Sequence, residues 1–216
     1  MKILAIAGSP RRGGNTDALL EQAIAGAEGA GAAVERVALN QLRVSPCIEC
    51  NRCFETGRCV VQDDYQALYD KTLAADGIIL AAPIFFMNIS GWAKAFIDRF
   101  QCLWALRNVL HLPVPLPTGG QRRRAVFLST AGWSKTKFDC ALLTVRAFLA
   151  TIDAKLAGTL CVNGLDDKGA VEQHPELLAQ ARALGAHLAS GEAPSAAAGP
   201  GTVQGGPSAG TDAATA

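Results

Sequence analysis

Four cysteines stand within thirteen residues of one another, in the stretch PCIECNRCFETGRC: Cys47, Cys50, Cys53 and Cys59. Their spacing is C-x2-C-x2-C-x5-C. Thiolates packed this densely on one segment share a metal or an electron. Three at successive x2 intervals let one loop wrap a cubane, and a more distant fourth completes a four-thiolate set. Gly57 lets the chain turn back to deliver Cys59. The last interval of five, and Val60 in place of a proline, depart from the bacterial ferredoxin run. Zinc held by four thiolates is a rival, although zinc sites ordinarily use two separate C-x2-C pairs. A C-x-x-C disulfide with spare thiols is another. The spacing alone leaves iron–sulfur, zinc and disulfide chemistry open.

A second segment suits an anion. Gly8-Ser9-Pro10-Arg11-Arg12-Gly13-Gly14-Asn15-Thr16 joins an apolar run to a helical pattern. Small residues let backbone N–H groups close around a phosphate, and a helix N-terminus adds partial positive charge. Ser9, Asn15 and Thr16 offer side-chain hydrogen bonds, and Arg11 a forked cation. The segment lacks the Gly-Lys-Ser/Thr of a Walker loop and the glycine spacing of a dinucleotide fingerprint. The bland alternative is a plain turn with Asn15 as the helix N-cap.

A third segment, Ala82-Pro83-Ile84-Phe85-Phe86-Met87-Asn88-Ile89-Ser90-Gly91, suits a planar ring. Its apolar side chains can stack, while Asn88 and the backbone can reach ring heteroatoms. A weaker fourth, Ser129-Thr130-Ala131-Gly132-Trp133, is a polar turn after an apolar run.

These segments need a scaffold that brings them to one edge. Continuous apolar runs at 2–7, 33–39, 77–82, 125–130 and 155–162 read as strands covered on both faces. Helical periodicity falls between them, at 15–30, 64–75, 90–106, 137–152 and 174–190. The Pro-rich 107–121 reads as a loop. Alternation of this kind predicts an α/β domain, doubly wound about a five-stranded parallel sheet. Such sheets bind ligands at the carboxyl ends of their strands, where the candidate segments lie. The expected domain covers 1–190, with the cysteine loop inserted at 44–63. The Ala/Gly/Pro/Ser-rich tail, 191–216, is expected to be disordered.

Composition narrows the function. The 216 residues are 50% hydrophobic and 18% charged, with a formal net charge of +1, so no nucleic acid partner is implied. The run Arg122-Arg123-Arg124 reads as a solvated start to a strand. The opening MKILAIAGSP is too short in its apolar run for a signal peptide, and no window suits a membrane span. A cytoplasmic protein with no membrane partner is expected, in which Cys102, Cys140 and Cys161 are small core residues. The three histidines are scattered and expected to be structural or on the surface.

GSPRRGGNT and APIFFMNISGWAKAFIDR together resemble the phosphate loop and ring loop of flavodoxin-like NAD(P)H-dependent FMN reductases. Phe85 stands where that family commonly has tyrosine, which removes a hydroxyl and keeps an apolar wall. The cysteine loop is similar to that of the iron–sulfur flavoprotein branch. The resemblance implies a flavodoxin-like strand order 2-1-3-4-5, with FMN phosphate on Ser9, Arg11, Asn15 and Thr16. It implies the flavin ring against Pro83, Ile84, Phe85, Phe86 and Asn88, with Thr130 and Gly132 on the other side. It also implies a [4Fe–4S] cluster on Cys47, Cys50, Cys53 and Cys59, the reading favoured here. The expected activity is electron transfer between NAD(P)H or a ferredoxin-type donor, FMN and the cluster, in a homodimer or homotetramer. Two alternatives are an NAD(P)H-dependent FMN or quinone reductase without a cluster, and a non-catalytic redox sensor with a zinc-stabilised loop. No acid–base residue is nominated.

Overall fold

A computed structural model describes residues 1–191 and 201–203. The chain runs β1 (Lys2–Ala7), α1 (Asn15–Gly29), β2 (Ala33–Ala38), α2 (Cys53–Thr56), α3 (Tyr65–Ala74) and β3 (Gly77–Ala81). It continues through β4 (Ile84–Phe85), β5 (Asn88–Ile89), α4 (Gly91–Asp98), α5 (Gln101–Asn108) and β6 (Arg123–Thr130). It ends with α6 (Asp139–Thr151), β7 (Ala154–Val162), α7 (Pro175–Ser190) and β8 (Gly201–Val203). Among the described residues, no helix is long and apolar enough to cross a membrane.

The main sheet is parallel, in the order β2-β1-β3-β6-β7-β8. Its first five strands are the expected five, in the flavodoxin-like order. Beyond them β8 pairs through its backbone with Leu160–Val162. Three residues of the tail supply it, and such pairing at a sheet edge requires no apolar run. The rest of the tail lies outside the described residues.

Alternation along each strand divides the core in two. Leu4, Ile6, Ile78, Leu80 and Phe127 face α3 to α6, where Tyr65, Phe96, Phe100 and Phe148 form an aromatic cluster. Ile3, Ala5, Ile79, Val126 and Leu128 face α1 and α7. Each fully buried large apolar side chain contributes about 1.5–3 kcal/mol. Helices α1 and α7 cross closely, because Gly26 lies against the Arg182 carbonyl and Gly185 against that of Ala23. A Cβ at either glycine would approach the facing oxygen to 1.9 or 1.8 Å.

Several local expectations change. The single helix expected over 90–106 is two, α4 and α5, broken at Arg99 and Phe100, where the Phe100 N–H turns to the Ile97 carbonyl. The break sends the Phe100 ring into the aromatic core and the Arg99 guanidinium under the cysteine loop. The ring segment is a hairpin of β4 and β5 rather than an open loop. Arg123 is not solvated. Its guanidinium, 0% exposed, donates to the carbonyls of Thr72, Leu73, Pro115 and Ile152, tying α3, α6 and the Pro-rich loop together. Burial lowers its pKa, the neighbouring Asp153 and Asp76 opposing the shift. Cys102 and Cys161 are buried as expected, but Cys140 is exposed on α6.

Candidate functional site

The loops after β1, β3, β6 and β7 converge at the carboxyl edge of the sheet around a cavity of about 180 Å³. Nine of the eleven residues expected to hold FMN line it: Ser9, Arg11, Asn15, Thr16, Pro83, Ile84, Phe85, Thr130 and Gly132. Ala131, Leu165 and Asp166 complete its wall beside Pro10 and Gly14.

Local chemistry shapes the anion side. The Ser9 hydroxyl accepts from the Arg11 N–H at 3.1 Å and donates to the Arg11 carbonyl, which tightens the turn. Gly13 has φ +64°, and its N–H donates to Asp17 Oδ2 at 2.9 Å. Helix α1 begins after Gly14, not after an Asn15 cap. The first-turn N–H groups of Asn15 and Thr16 have no acceptor within the helix, which leaves them for an anion. The Asn15 side chain is fully engaged elsewhere. Its Nδ2 donates to the carbonyls of Leu165 and Asp167 at 3.0 and 2.8 Å, and its Oδ1 accepts from the Val171 N–H. Asn15 therefore fastens the loop after β7 to α1 and can offer an anion only its backbone. The Thr16 and Thr130 hydroxyls, both buried, meet at 2.6 Å. One proton joins the pair and the other remains free to donate into the cavity. Arg11 reaches across the mouth, with Nη1 3.3 Å from the Asp166 carbonyl.

The ring side is apolar and strained. Pro83, Ile84 and Phe85 line the cavity, but Phe86 is 104% exposed and the Asn88 carboxamide accepts from the adjacent Ile89 N–H. These two expected contacts lie outside the cavity. Phe86 and Met87 turn the hairpin with φ of +48° and +65°. Left-handed backbone at a bulky residue costs about 1–3 kcal/mol and gathers at functional sites. Ser90 caps α4 and donates to the Gly8 carbonyl, locking the hairpin and helix to the anion turn.

Leu165 and Asp166 were missed because Asn163-Gly164-Leu165-Asp166-Asp167 carries no recognisable motif. Its place at the end of the fifth strand was the available signal. A Cβ on Gly132 would lie 2.5 Å from Asp166 Oδ1, so the two loops pack without space for a larger residue.

The cysteine loop lies beyond β2. Cys47, Cys50, Cys53 and Cys59 all line one small hollow of about 20 Å³, with Arg99, Gln101 and the fifth cysteine, Cys102. The four divide into pairs. Cys53 and Cys59 are half-buried on a built scaffold, Cys53 at the start of α2, which packs on α5 through Phe54 and Trp104. Gly57, at φ +71°, ends α2, and Gln66 Nε2 donates to the Cys59 and Val61 carbonyls. Cys47 and Cys50 are exposed on irregular chain, which passes through left-handed Glu49 and Asn51. Among the described residues, no three histidine, cysteine, aspartate or glutamate side chains are gathered closely enough to hold a metal ion. The donor set fits a four-thiolate cluster in identity and in sharing one hollow, although the thiols are not drawn together. The hollow itself has room for about one water. Burial, with the nearby Cys102, Cys59 and Cys47 thiols adding to it, pushes the Cys53 thiol up to about 11, so the free thiol keeps its proton at neutral pH.

Arg99 joins the two ends of this loop, and sequence reasoning passed over it. Its side chain is 0% exposed. Nε donates to Cys59 Sγ at 3.2 Å, Nη1 to the Ser45 carbonyl and Asp63 Oδ2, and Nη2 to the Val61 carbonyl. The Tyr65 ring stacks 4.4 Å from its Cζ. The available signal was an arginine in a helix whose inward neighbours are aromatic.

This sheet order, with a cavity at its carboxyl edge, defines a flavodoxin-like domain. The family model for NADPH-dependent FMN reductases matches residues 1–159, and the chain belongs to that family. An iron–sulfur flavoprotein of Methanocaldococcus jannaschii is 39% identical over 111 residues, 50% of this chain and 58% of that protein. A Bacillus subtilis protein, provisionally named as an NAD(P)H-dependent FMN-containing oxidoreductase, is 39% identical over 101 residues, 47% of this chain and 52% of that one. The match thus spans little more than half the length of either relative. An NAD(P)H:quinone oxidoreductase from Methanothermobacter marburgensis superposes with a TM-score of 0.64, covering 87% of this chain and 96% of that one at 16% identity. At that identity the likeness concerns the fold.

Proposed function

We propose that the protein is an FMN-dependent oxidoreductase passing electrons between a reduced donor, FMN and a [4Fe–4S] cluster on Cys47, Cys50, Cys53 and Cys59. The observation that carries this reading is the convergence of four loops on one cavity, with anion donors on one side and an apolar wall on the other. FMN, when bound, supplies acceptance of a hydride equivalent and release of single electrons.

The chain's own residues bind and orient. The first turn of α1, Ser9 and Arg11 hold the phosphate. The free proton of the Thr16–Thr130 pair offers a hydrogen bond deeper in the cavity. Pro83, Ile84 and Phe85 wall off water from one face of the ring, and Gly132 leaves the other face open to a close approach. Phe86 and Asn88 reach the ring only if the strained hairpin shifts, or if they cover it from outside. The donor is a reduced nicotinamide or a ferredoxin; the family's name and that of the Bacillus relative support the nicotinamide. The functional unit is residues 1–190, with the insertion at 44–63. Phe85 of the cavity wall and the neighbouring Phe86, Met87 and Trp133 in the chain segments that form it are exposed, which suits burial in a homodimer.

Anaerobically prepared protein is expected to show flavin bands, a broad iron–sulfur absorbance, and stoichiometric iron and sulfide. It is expected to oxidise NAD(P)H or reduced ferredoxin. Flavin bands without iron would favour the second reading, an NAD(P)H-dependent reductase with no cluster. The small hollow and ungathered thiols are the observations on that side.

A further inference from the structure

The guanidinium of Arg99 is the most completely used polar group beside the cysteines. It carries a full positive charge with no exposure to solvent. Its donors divide between the two ends of the loop. The Ser45 carbonyl is on the incoming chain, while Cys59 Sγ, the Val61 carbonyl and the Asp63 carboxylate are on the outgoing chain. Asp63 in turn accepts from the Ser45 and Tyr65 N–H groups. One cation therefore closes the loop at its neck, and one of its N–H groups is aimed at a sulfur.

We infer that Arg99 is a positioning residue that closes the neck of the cysteine loop and, through Nε–H···Sγ on Cys59, raises the reduction potential of the group bound there. The inference rests on the cluster reading above. Reduction adds an electron, and the extra negative charge spreads over the sulfurs. A buried cationic donor on one of those sulfurs stabilises the reduced form more than the oxidised one. Burial preserves the effect from screening. Hydrogen bonds to the sulfurs are among the means by which a protein sets cluster potentials. Lysine cannot replace the fork, because it is a single point donor and cannot bridge the Ser45 carbonyl, Cys59 and Asp63 together.

The test uses full-length wild-type protein, Arg99→Gln and Arg99→Lys, prepared anaerobically and reconstituted with iron and sulfide. FMN content, iron and sulfide content, and the cluster midpoint potential from an EPR-monitored titration are measured. Amide hydrogen exchange of residues 44–63 is followed in the metal-free protein. FMN content is expected to match wild type throughout. In Arg99→Gln, the midpoint of the clusters that remain is expected to move to more negative potential, and exchange across 44–63 to rise at least ten-fold. Arg99→Lys is expected to fall between, keeping the charge without the bridge. A Gln variant with wild-type midpoint and wild-type exchange overturns the inference. If that variant loses FMN and cooperative melting together, the Lys variant decides, and wild-type values in it overturn the inference equally. Wild-type protein that takes up no iron sinks the cluster reading and the tuning role with it. The metal-free exchange arm then decides the closing role alone.

Discussion

The cavity at the sheet edge and the cysteine loop are built by opposite means. The cavity is made of short turns clamped to regular elements. Ser90 holds Gly8, Asn15 holds the chain from Leu165 to Val171, and Thr16 meets Thr130. It exists in the bare protein as a hollow of about 180 Å³. The loop has only half such a frame. Cys53 and Cys59 rest on α2 and Gln66, while Cys47 and Cys50 are exposed on irregular chain. A preformed site binds its ligand at little cost in order, whereas a half-formed one draws part of its structure from what it binds. FMN binding and metal binding are therefore expected to separate cleanly when each region is disturbed.

The hardest blow to that separation is Cys50→Ser. It removes one of the two unframed thiols and is expected to abolish stoichiometric iron while FMN content stays at the wild-type level. Loss of FMN as well would join the two regions into one unit. Next is Arg123→Ala, at the amino end of β6, away from both regions. It leaves four carbonyls, two of them fully buried, without their donor, and a loss of about 3 kcal/mol or more is expected in denaturant melts. Cavity and loop should weaken together, so a selective loss of either would contradict the division. Thr16→Val leaves Thr130 without its partner and is expected to weaken FMN about ten-fold by fluorescence titration, with iron uptake unchanged.

The smallest expected effect is one of pH. Burial favours a neutral Asp63, but the Arg99 guanidinium and the Ser45 and Tyr65 N–H groups outweigh it and hold the carboxyl below its ordinary value. A depressed carboxyl contributes stability above the unfolded value, about 3.9, and loses it as the pH falls through the folded one. As the pH falls below about 3.9 the neck of the loop should open before the cavity does. Hydrogen exchange rising at 44–63 while FMN stays bound is the expected signature. Simultaneous release of both would place the acid-sensitive group elsewhere.

Much of the frame was legible because strands buried on both faces must be apolar throughout. GIILAA at 77–82 cannot be read as anything solvated. The phosphate turn was legible for a related reason, since glycines between an apolar strand and a helix have little else to do. What escaped depends on tertiary contact. Arg123 looks like any basic residue until the carbonyls of Thr72, Leu73, Pro115 and Ile152 surround it. Asn15 was assigned to an anion because asparagine suits one, but its carboxamide is committed to a loop some 150 residues away. The turn at Phe86 and Met87 was invisible because neither residue favours a left-handed backbone. Asp166 had position but no motif. Local chemistry names what a residue is able to do, and only the fold says which of those options is already taken.

Helix α4 is fastened at its start, through Ser90, to the turn that would hold a phosphate, and hands on at its end to Arg99 and the loop. Nine residues of helical rise put about 14 Å between those two fixings. The helix thus acts as a ruler between the two regions, rigid in both length and angle. Adding one residue to it would lengthen the rise by only ~1.5 Å but rotate Arg99 by about 100° away from Cys59. Tolerance to length change should therefore be far lower in α4 than in the loops on either side. The spacing of the two regions would then change only in steps of about one helical turn rather than residue by residue.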